Sequence, residues 1–92
     1  MNLGKAVLFI RESHGITQRT LAEAMGVTVT FLSYVENNRR FFSTEMLARF
    51  CRVTGISPDR LYLEAITFER IEKDPEALRA YRILREIIDK EA

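Results

Sequence analysis

The stretch QRTLAEAMGVTVTFLSYVEN, residues 18–37, limits what this chain can fold into more than any other. It reads as two short helical patterns joined at Gly26. Leu21 and Ala22 lie on one face of the first pattern. Leu32 and Val35, three apart, share a buried stripe on the second. A left-handed backbone at Gly26 is cheap because the residue has no Cβ. Thr28 follows as an N-cap whose hydroxyl can accept from the backbone N–H of residue 30 or 31. Ala22 is small, as it must be where two helices cross steeply and their backbones come close.

Two helices meeting at roughly 90–120° across a short Gly-containing turn make a helix-turn-helix. The stretch resembles the helix-turn-helix of the phage repressor and Cro type, also called the xenobiotic-response-element-like family of bacterial regulators. The residues that carry the resemblance are Gln18, Leu21-Ala22, Gly26-Val27-Thr28, Leu32-Ser33 and Glu36-Asn37. Arg11 and Gly15-Ile16-Thr17-Gln18 fit the lead-in; Leu47, Phe50 and Gly55-Ile56-Ser57 fit the closing helices. The resemblance spans about residues 3–63 and leaves 64–92 uncovered. It implies an all-α fold: a five-helix repressor-like DNA-binding domain over residues 1–65, followed by a connector and an amphipathic C-terminal helix over 66–92.

Net charge is only +1, little for a nucleic-acid binder, but the distribution is more informative. Residues 1–60 carry eight Lys/Arg against five Asp/Glu, a surplus of +3; residues 61–92 carry six against eight, a balance of −2. A basic body with an acidic tail suggests DNA at one end of the molecule and something else at the other. The single cysteine, Cys51, excludes an internal disulfide and at its spacing reads as an inert core residue. With no long apolar run and no cleavable signal pattern, the expected location is the cytoplasm. The lone histidine, His14, has no metal-ligating or catalytic company in the sequence and reads as a solvated loop residue.

The chain before the motif reads as a helix over residues 3–13, with Leu3, Val7 and Ile10 on one face and Gly15 as its left-handed stop. Thr17 caps the next helix, residues 18–25, whose N-terminus offers backbone N–H groups and a positive dipole to a phosphate. The resemblance places Gln18 there as a phosphate clamp, and Arg19 beside it adds a second contact. The third helix, residues 28–36, is the expected reader of the major groove. With Leu32 and Val35 inward and Phe31 mostly in the core, Thr28, Val29, Thr30, Ser33 and Tyr34 face outward. No Arg, Lys, Gln or Asn lies between 28 and 36 to grip a base edge with two hydrogen bonds. Thr30, Ser33 and Tyr34 can make single hydrogen bonds, and Val29 can pack on a thymine methyl. The resemblance makes Asn37-Asn38-Arg39-Arg40 the loop leaving the groove, where the paired arginines would meet phosphates; because the reader helix lacks long donors, Arg39 or Arg40 is also the candidate for a guanine contact. It also implies a partly buried ion pair between Arg11 and Glu36.

Beyond the loop the pattern changes. Where relatives often carry a proline, this chain has Phe41-Phe42, one expected to seal the core and the other exposed at a dimer contact. Ser43 or Thr44 caps a helix over about 44–54 that buries Leu47, Phe50 and Cys51, with Ala48 and Val53 nearby. Gly55 ends it, and Ser57-Pro58 opens a fifth helix that buries Leu61 and partly covers Tyr62. Residues 66–73 read as a connector, with room for a helical turn, anchored by Phe68 and Ile71. Asp74-Pro75-Glu76 is a strong helix start. The last helix runs to about Lys90, with a stripe of Leu78, Tyr81, Leu84 (or Arg85) and Ile88, widened by Ile83 and Ile87. Because the resembling fold closes without this helix, Leu78, Tyr81, Leu84, Ile87 and Ile88 are expected to pair with a second subunit rather than with their own domain.

The expected function is a sequence-specific, double-stranded DNA-binding transcription regulator. It would act as a homodimer on a palindromic operator, as a repressor or autoregulator, with no cofactor and no metal. An antitoxin or adaptor that kept the fold and works through protein contacts is the alternative, with a toxin or RNA polymerase as partner. Nothing in the sequence supports an enzyme: there is no Gly-rich phosphate loop and no metal-ligand cluster.

Overall fold

In the computed structural model, residues 2–91 are described, except for the side chains of 85 and 88–91. They form six helices and no strand: α1 (Leu3–Ser13), α2 (Gln18–Met25), α3 (Val29–Glu36), α4 (Thr44–Thr54), α5 (Pro58–Ile71) and α6 (Pro75–Glu91). The ends of these helices are written in the sequence. Asn2, Thr17, Thr28, Ser43 and Ser57 each accept, on a side-chain oxygen, the N–H three residues on, at 3.0–3.2 Å. Asp74 accepts from Glu76 and Ala77 at the head of α6. Each cap contributes about 1 kcal/mol. Helices of eight residues, such as α2 and α3, would not hold alone in water.

What holds them is one core. Val7 and Ile10 of α1, Leu21 and Met25 of α2, Leu32 of α3, Phe50 of α4, and Leu61 and Phe68 of α5 are fully buried and packed together. Burial of each such side chain contributes about 1.5–3 kcal/mol. α1 is packed chiefly against α5 and α3, and α2 against α3 and α4. The turn between α2 and α3 is made at Gly26, with φ +72°, a conformation that any Cβ would strain. Its amide donates to Ala22 and Glu23 carbonyls, and Arg49 Nη1 donates to the Met25 carbonyl at 3.2 Å. A side chain from α4 thus closes the end of α2.

Gly4 marks a close approach of α1 to the end of α3. A Cβ there would lie 2.3 Å from the Val35 carbonyl oxygen and 2.6 Å from Asn38 Oδ1. α1 and the end of α3 touch backbone to backbone at this point.

Three expectations are corrected. Residues 66–71 are not a connector: α5 continues through them to Ile71. Ala65, Phe68 and Ile71 extend the buried stripe of Leu61 at helical spacing, and Phe68 is fully buried with its ring 5.2 Å from that of Phe9. Val53 is exposed rather than near the core. Leu78 and Tyr81 of α6 pack on their own domain. The Tyr81 ring sits 5.5 Å from Phe9 and 5.4 Å from Phe68, and its hydroxyl donates to the buried Glu64 carboxylate, which Arg60 also contacts. An aromatic pocket with a buried acceptor at its base is a better seat for a tyrosine than a purely apolar seam. Further along α6, Ile83, Leu84 and Ile87 are exposed, while Ile88 lies outside the residues whose side chains are described.

Candidate nucleic-acid interface

Glu36, the last residue of α3, is the point where the three N-terminal helices are tied. Its carboxylate accepts from Arg11 Nε at 2.7 Å and from Arg11 Nη2 at 3.2 Å. It also accepts from Gln18 Nε2 at 2.8 Å. Arg11 spends its remaining terminal nitrogen on the Ile16 carbonyl, 2.8 Å away. The two charged side chains are nearly dry, at 12% exposure for Arg11 and 3% for Glu36. The forked guanidinium matches the carboxylate with two parallel bonds, a geometry that fixes direction as well as distance. One carboxylate therefore sets α1, α2 and α3 relative to one another.

Gln18 consequently has its amide nitrogen on Glu36, inside the protein. At the head of α2, Thr17 Oγ1 accepts from Thr20, and Arg19 is exposed beside it.

α3 presents the face its spacing predicts. Val29 and Tyr34 are about two-fifths exposed, Thr30 is exposed and Ser33 is half-buried. Thr28 is exposed, with its hydroxyl oxygen accepting from Phe31 N–H as the cap. Phe31 is half-buried with its ring 6.3 Å from Phe42. Chemically this is a surface of small hydroxyls and apolar edges. It can dock closely in a groove, donate single hydrogen bonds and cover methyl groups.

The turn after α3 is held by a set of hydrogen bonds. Asn38 adopts φ +60°, in the left-handed region that asparagine tolerates better than most residues. The N–H groups of Arg39 and Arg40 both donate to the Tyr34 carbonyl, at 2.8 and 3.2 Å. Asn37 donates from its side chain to the Ser33 carbonyl at 2.8 Å. Arg39 and Arg40 then extend into solvent, directly after the exposed face of α3. Asn38 is turned the other way. Its Oδ1 accepts from Gly4 N–H at 3.1 Å and its Nδ2 donates to Asn2 Oδ1 at 2.8 Å. Its side chain rivets the turn to the start of α1, while the residue itself is still exposed on the loop expected at DNA.

Three structural roles have no counterpart in the sequence reading: Gly4 at the α1–α3 contact, the hydrogen bonds of Asn38 to Gly4 and Asn2, and Arg49 at the end of α2. Only Gly4 carries a visible signal, as an isolated glycine inside a helical pattern. Arg49 looks like any exposed helical arginine until its reach to Met25 is seen.

Among the described residues no group of His, Cys, Asp or Glu side chains could hold a metal ion, and no helix is long and apolar enough to cross a membrane. His14 is exposed, with its Nδ1 2.8 Å from the Ile10 carbonyl. Cys51 is buried, and that burial raises its thiol above the usual range.

No curated protein matches the chain. Solved structures do. The Clp gene regulator ClgR of Corynebacterium glutamicum is 34% identical, with 87% of this chain and 85% of that chain covered at a TM-score of 0.76. A second structure of the same regulator is 38% identical, with 72% of this chain and 85% of that chain covered at a TM-score of 0.69. The HTH_3 helix-turn-helix family model matches residues 9–61, which takes in α1 from Phe9 through the start of α5. The chain belongs to the Cro/C1-type helix-turn-helix family of DNA-binding transcription regulators.

Proposed function

We propose that this chain is a non-enzymatic, cytoplasmic, sequence-specific regulator that binds double-stranded DNA as a homodimer on a palindromic operator, as a repressor or autoregulator. The observation that carries this reading is the Glu36 hub. It holds α3 rigidly against α1 and α2 while leaving Val29, Thr30, Ser33 and Tyr34 outward and Arg39 and Arg40 at the exit. A rigid helix with a small-residue face and flanking cations fits a major groove walled by phosphates. Thr28, Val29, Thr30, Ser33 and Tyr34 would meet base edges. Arg19, Arg39, Arg40, Asn37 and the N–H groups at the head of α2 would meet phosphates. For Gln18 to reach a phosphate as well, its amide must be shared with or released from Glu36.

The homodimer is supported by the far half of α6. Leu78 and Tyr81 are used up by the domain itself, yet Ile83, Leu84 and Ile87 remain about half exposed on the same helix. A second copy would cover them. Two reader helices related by a two-fold axis would then enter successive major grooves about 34 Å apart.

A protein-binding adaptor or antitoxin, with a toxin or RNA polymerase as partner, is the second reading. The absence of long donors along α3 favours it. Selection of random duplex DNA on the purified protein separates the two. An enriched palindrome, bound with affinity that falls steeply with salt, supports the regulator. No enrichment, and binding that ignores sequence, refutes it. Sedimentation of the protein with Leu84 and Ile87 replaced by serine tests the dimer: a wild-type dimer that stays a dimer removes α6 from the interface.

A further inference from the structure

Phe41 and Phe42 share the short segment between the turn after α3 and the start of α4, and one is buried while the other is exposed. Phe42 is 6% exposed, with its ring against Phe31 and, at 6.0 Å, Phe50. Phe41, next to it in the chain, faces solvent. At 74% exposure it is the most exposed large apolar side chain among the described residues.

The segment that carries it is fixed at both ends. Upstream, the amides of Arg39 and Arg40 hang on the Tyr34 carbonyl. Downstream, Phe42 is locked in the core and Ser43 caps α4. An aromatic ring is thus displayed in a set position, next to two exposed arginines and just past the reader helix. The arginines give this corner a charge that suits a polyanion. The reader helix itself offers apolar edges at Val29 and Tyr34 and no long donor. In the major groove the one apolar group that distinguishes a base pair is the C5-methyl of thymine.

We propose that Phe41 is a specificity-determining contact that packs its ring on the C5-methyl of a thymine at the edge of each half-site, between phosphates held by Arg39 and Arg40. The inference rests on the reading of this chain as a DNA-binding regulator and extends it to a residue that stands outside the helix-turn-helix. The recognition surface then discriminates largely by shape and methyl contact, with the arginines supplying charge.

The test starts from the sequence selected by the wild-type protein. Each thymine of the site is replaced in turn by deoxyuridine, which removes the methyl and nothing else. Affinities of the wild type and of Phe41→Ala are then measured over a range of salt. One thymine per half-site should show about a fourfold loss for the wild type when its methyl is removed. Phe41→Ala should bind the unmodified site on the order of tenfold more weakly and be indifferent to that methyl. Its slope of log Kd against log salt should match the wild type, because no phosphate contact is lost. Its melting temperature should also match, because Phe41 is outside the core. Unchanged affinity in Phe41→Ala overturns the proposal. So does weakened binding that keeps the full methyl sensitivity. A changed association state of the free Phe41→Ala protein overturns it too, by placing the ring between two copies of the chain. A wild type that selects no sequence at all refutes the DNA reading beneath it, a result distinct from any of these.

Discussion

Replacing Arg11 with alanine should destabilise the protein severely, and the structure sets the scale. Glu36 has a side chain only 3% exposed and accepts two of its three hydrogen bonds from Arg11, at 2.7 and 3.2 Å. Without Arg11 the carboxylate keeps only the Gln18 amide, at 2.8 Å. A buried charge left with an inadequate partner costs about 3–5 kcal/mol. A chain of this length has a total stability of about 5–14 kcal/mol, so the variant loses a large share of it. At about 5 °C per kcal/mol for a domain of this size, the melting temperature should fall by about 15–25 °C. The remaining bond from Gln18 puts the expected value toward the lower end. Glu36→Ala should be comparably damaging, because it strands the guanidinium. The double variant Arg11→Met, Glu36→Leu should recover much of the loss, since an apolar pair leaves no charge unpaired. Thermal and urea unfolding followed by circular dichroism would measure all three. Single variants that each lose under about 1 kcal/mol, and losses that simply add in the double variant, would refute the hub.

Three further outcomes follow from the geometry. Gly4→Ala should lower stability by about 1–3 kcal/mol, because the overlap with the Val35 carbonyl outweighs the better helix propensity of alanine; a higher melting temperature would show that α1 can move away from α3. Arg39→Ala combined with Arg40→Ala should leave the melting temperature within about 2 °C and lower the steepness of the salt dependence of DNA binding by about two phosphate contacts, measured by fluorescence anisotropy; an unchanged slope removes both from the interface. Cys51 should resist alkylation at neutral pH in the folded protein and react in urea, measured by mass spectrometry. Because burial raises its thiol, the stability it contributes is present below the ordinary thiol pKa and falls as pH climbs past it, so stability that rises with alkaline pH through this group would contradict the burial.

The helices of the motif could be read from the sequence because their signals are local. Thr17 and Thr28 stand at their caps, Gly26 at its turn, and Leu21, Leu32 and Val35 at core spacing. The same locality explains the errors. Phe68 and Ile71 look like isolated anchors until Leu61 and Ala65 are seen to share their face; with that, the supposed connector becomes the second half of α5. Tyr81 sits on a stripe that by periodicity alone suits a second subunit. Its partners, Phe9 and Phe68, lie 72 and 13 residues away and announce nothing locally. Asn38 is likewise an exposed polar residue of a basic loop in sequence, and a rivet to Asn2 and Gly4 in space. Side chains whose role depends on a distant backbone atom cannot be placed from spacing.

The site shows a division of labour that follows from these contacts. Four polar side chains near α3 (Glu36, Arg11, Gln18 and Asn38) spend their hydrogen bonds on holding helices together. Those left on the outer face of α3 are short hydroxyls, a tyrosine and apolar edges. An interface of that composition gains little from any single base contact, so its discrimination depends on close fit repeated in register. Close fit requires that α3 not rock against α2, because a tilt of a few degrees at Glu36 moves Val29, seven residues away along the helix, by a large part of an ångström. Charge alone, from Arg19, Arg39 and Arg40, would bind any duplex. On the proposed function, specificity would depend on the tie made by Glu36 as much as on the side chains that would touch the bases. A variant such as Glu36→Gln, which keeps the shape and loosens the tie, should lose discrimination between the selected site and random duplex before it loses its affinity for DNA in general. Equal losses for both would show that the hub serves stability alone.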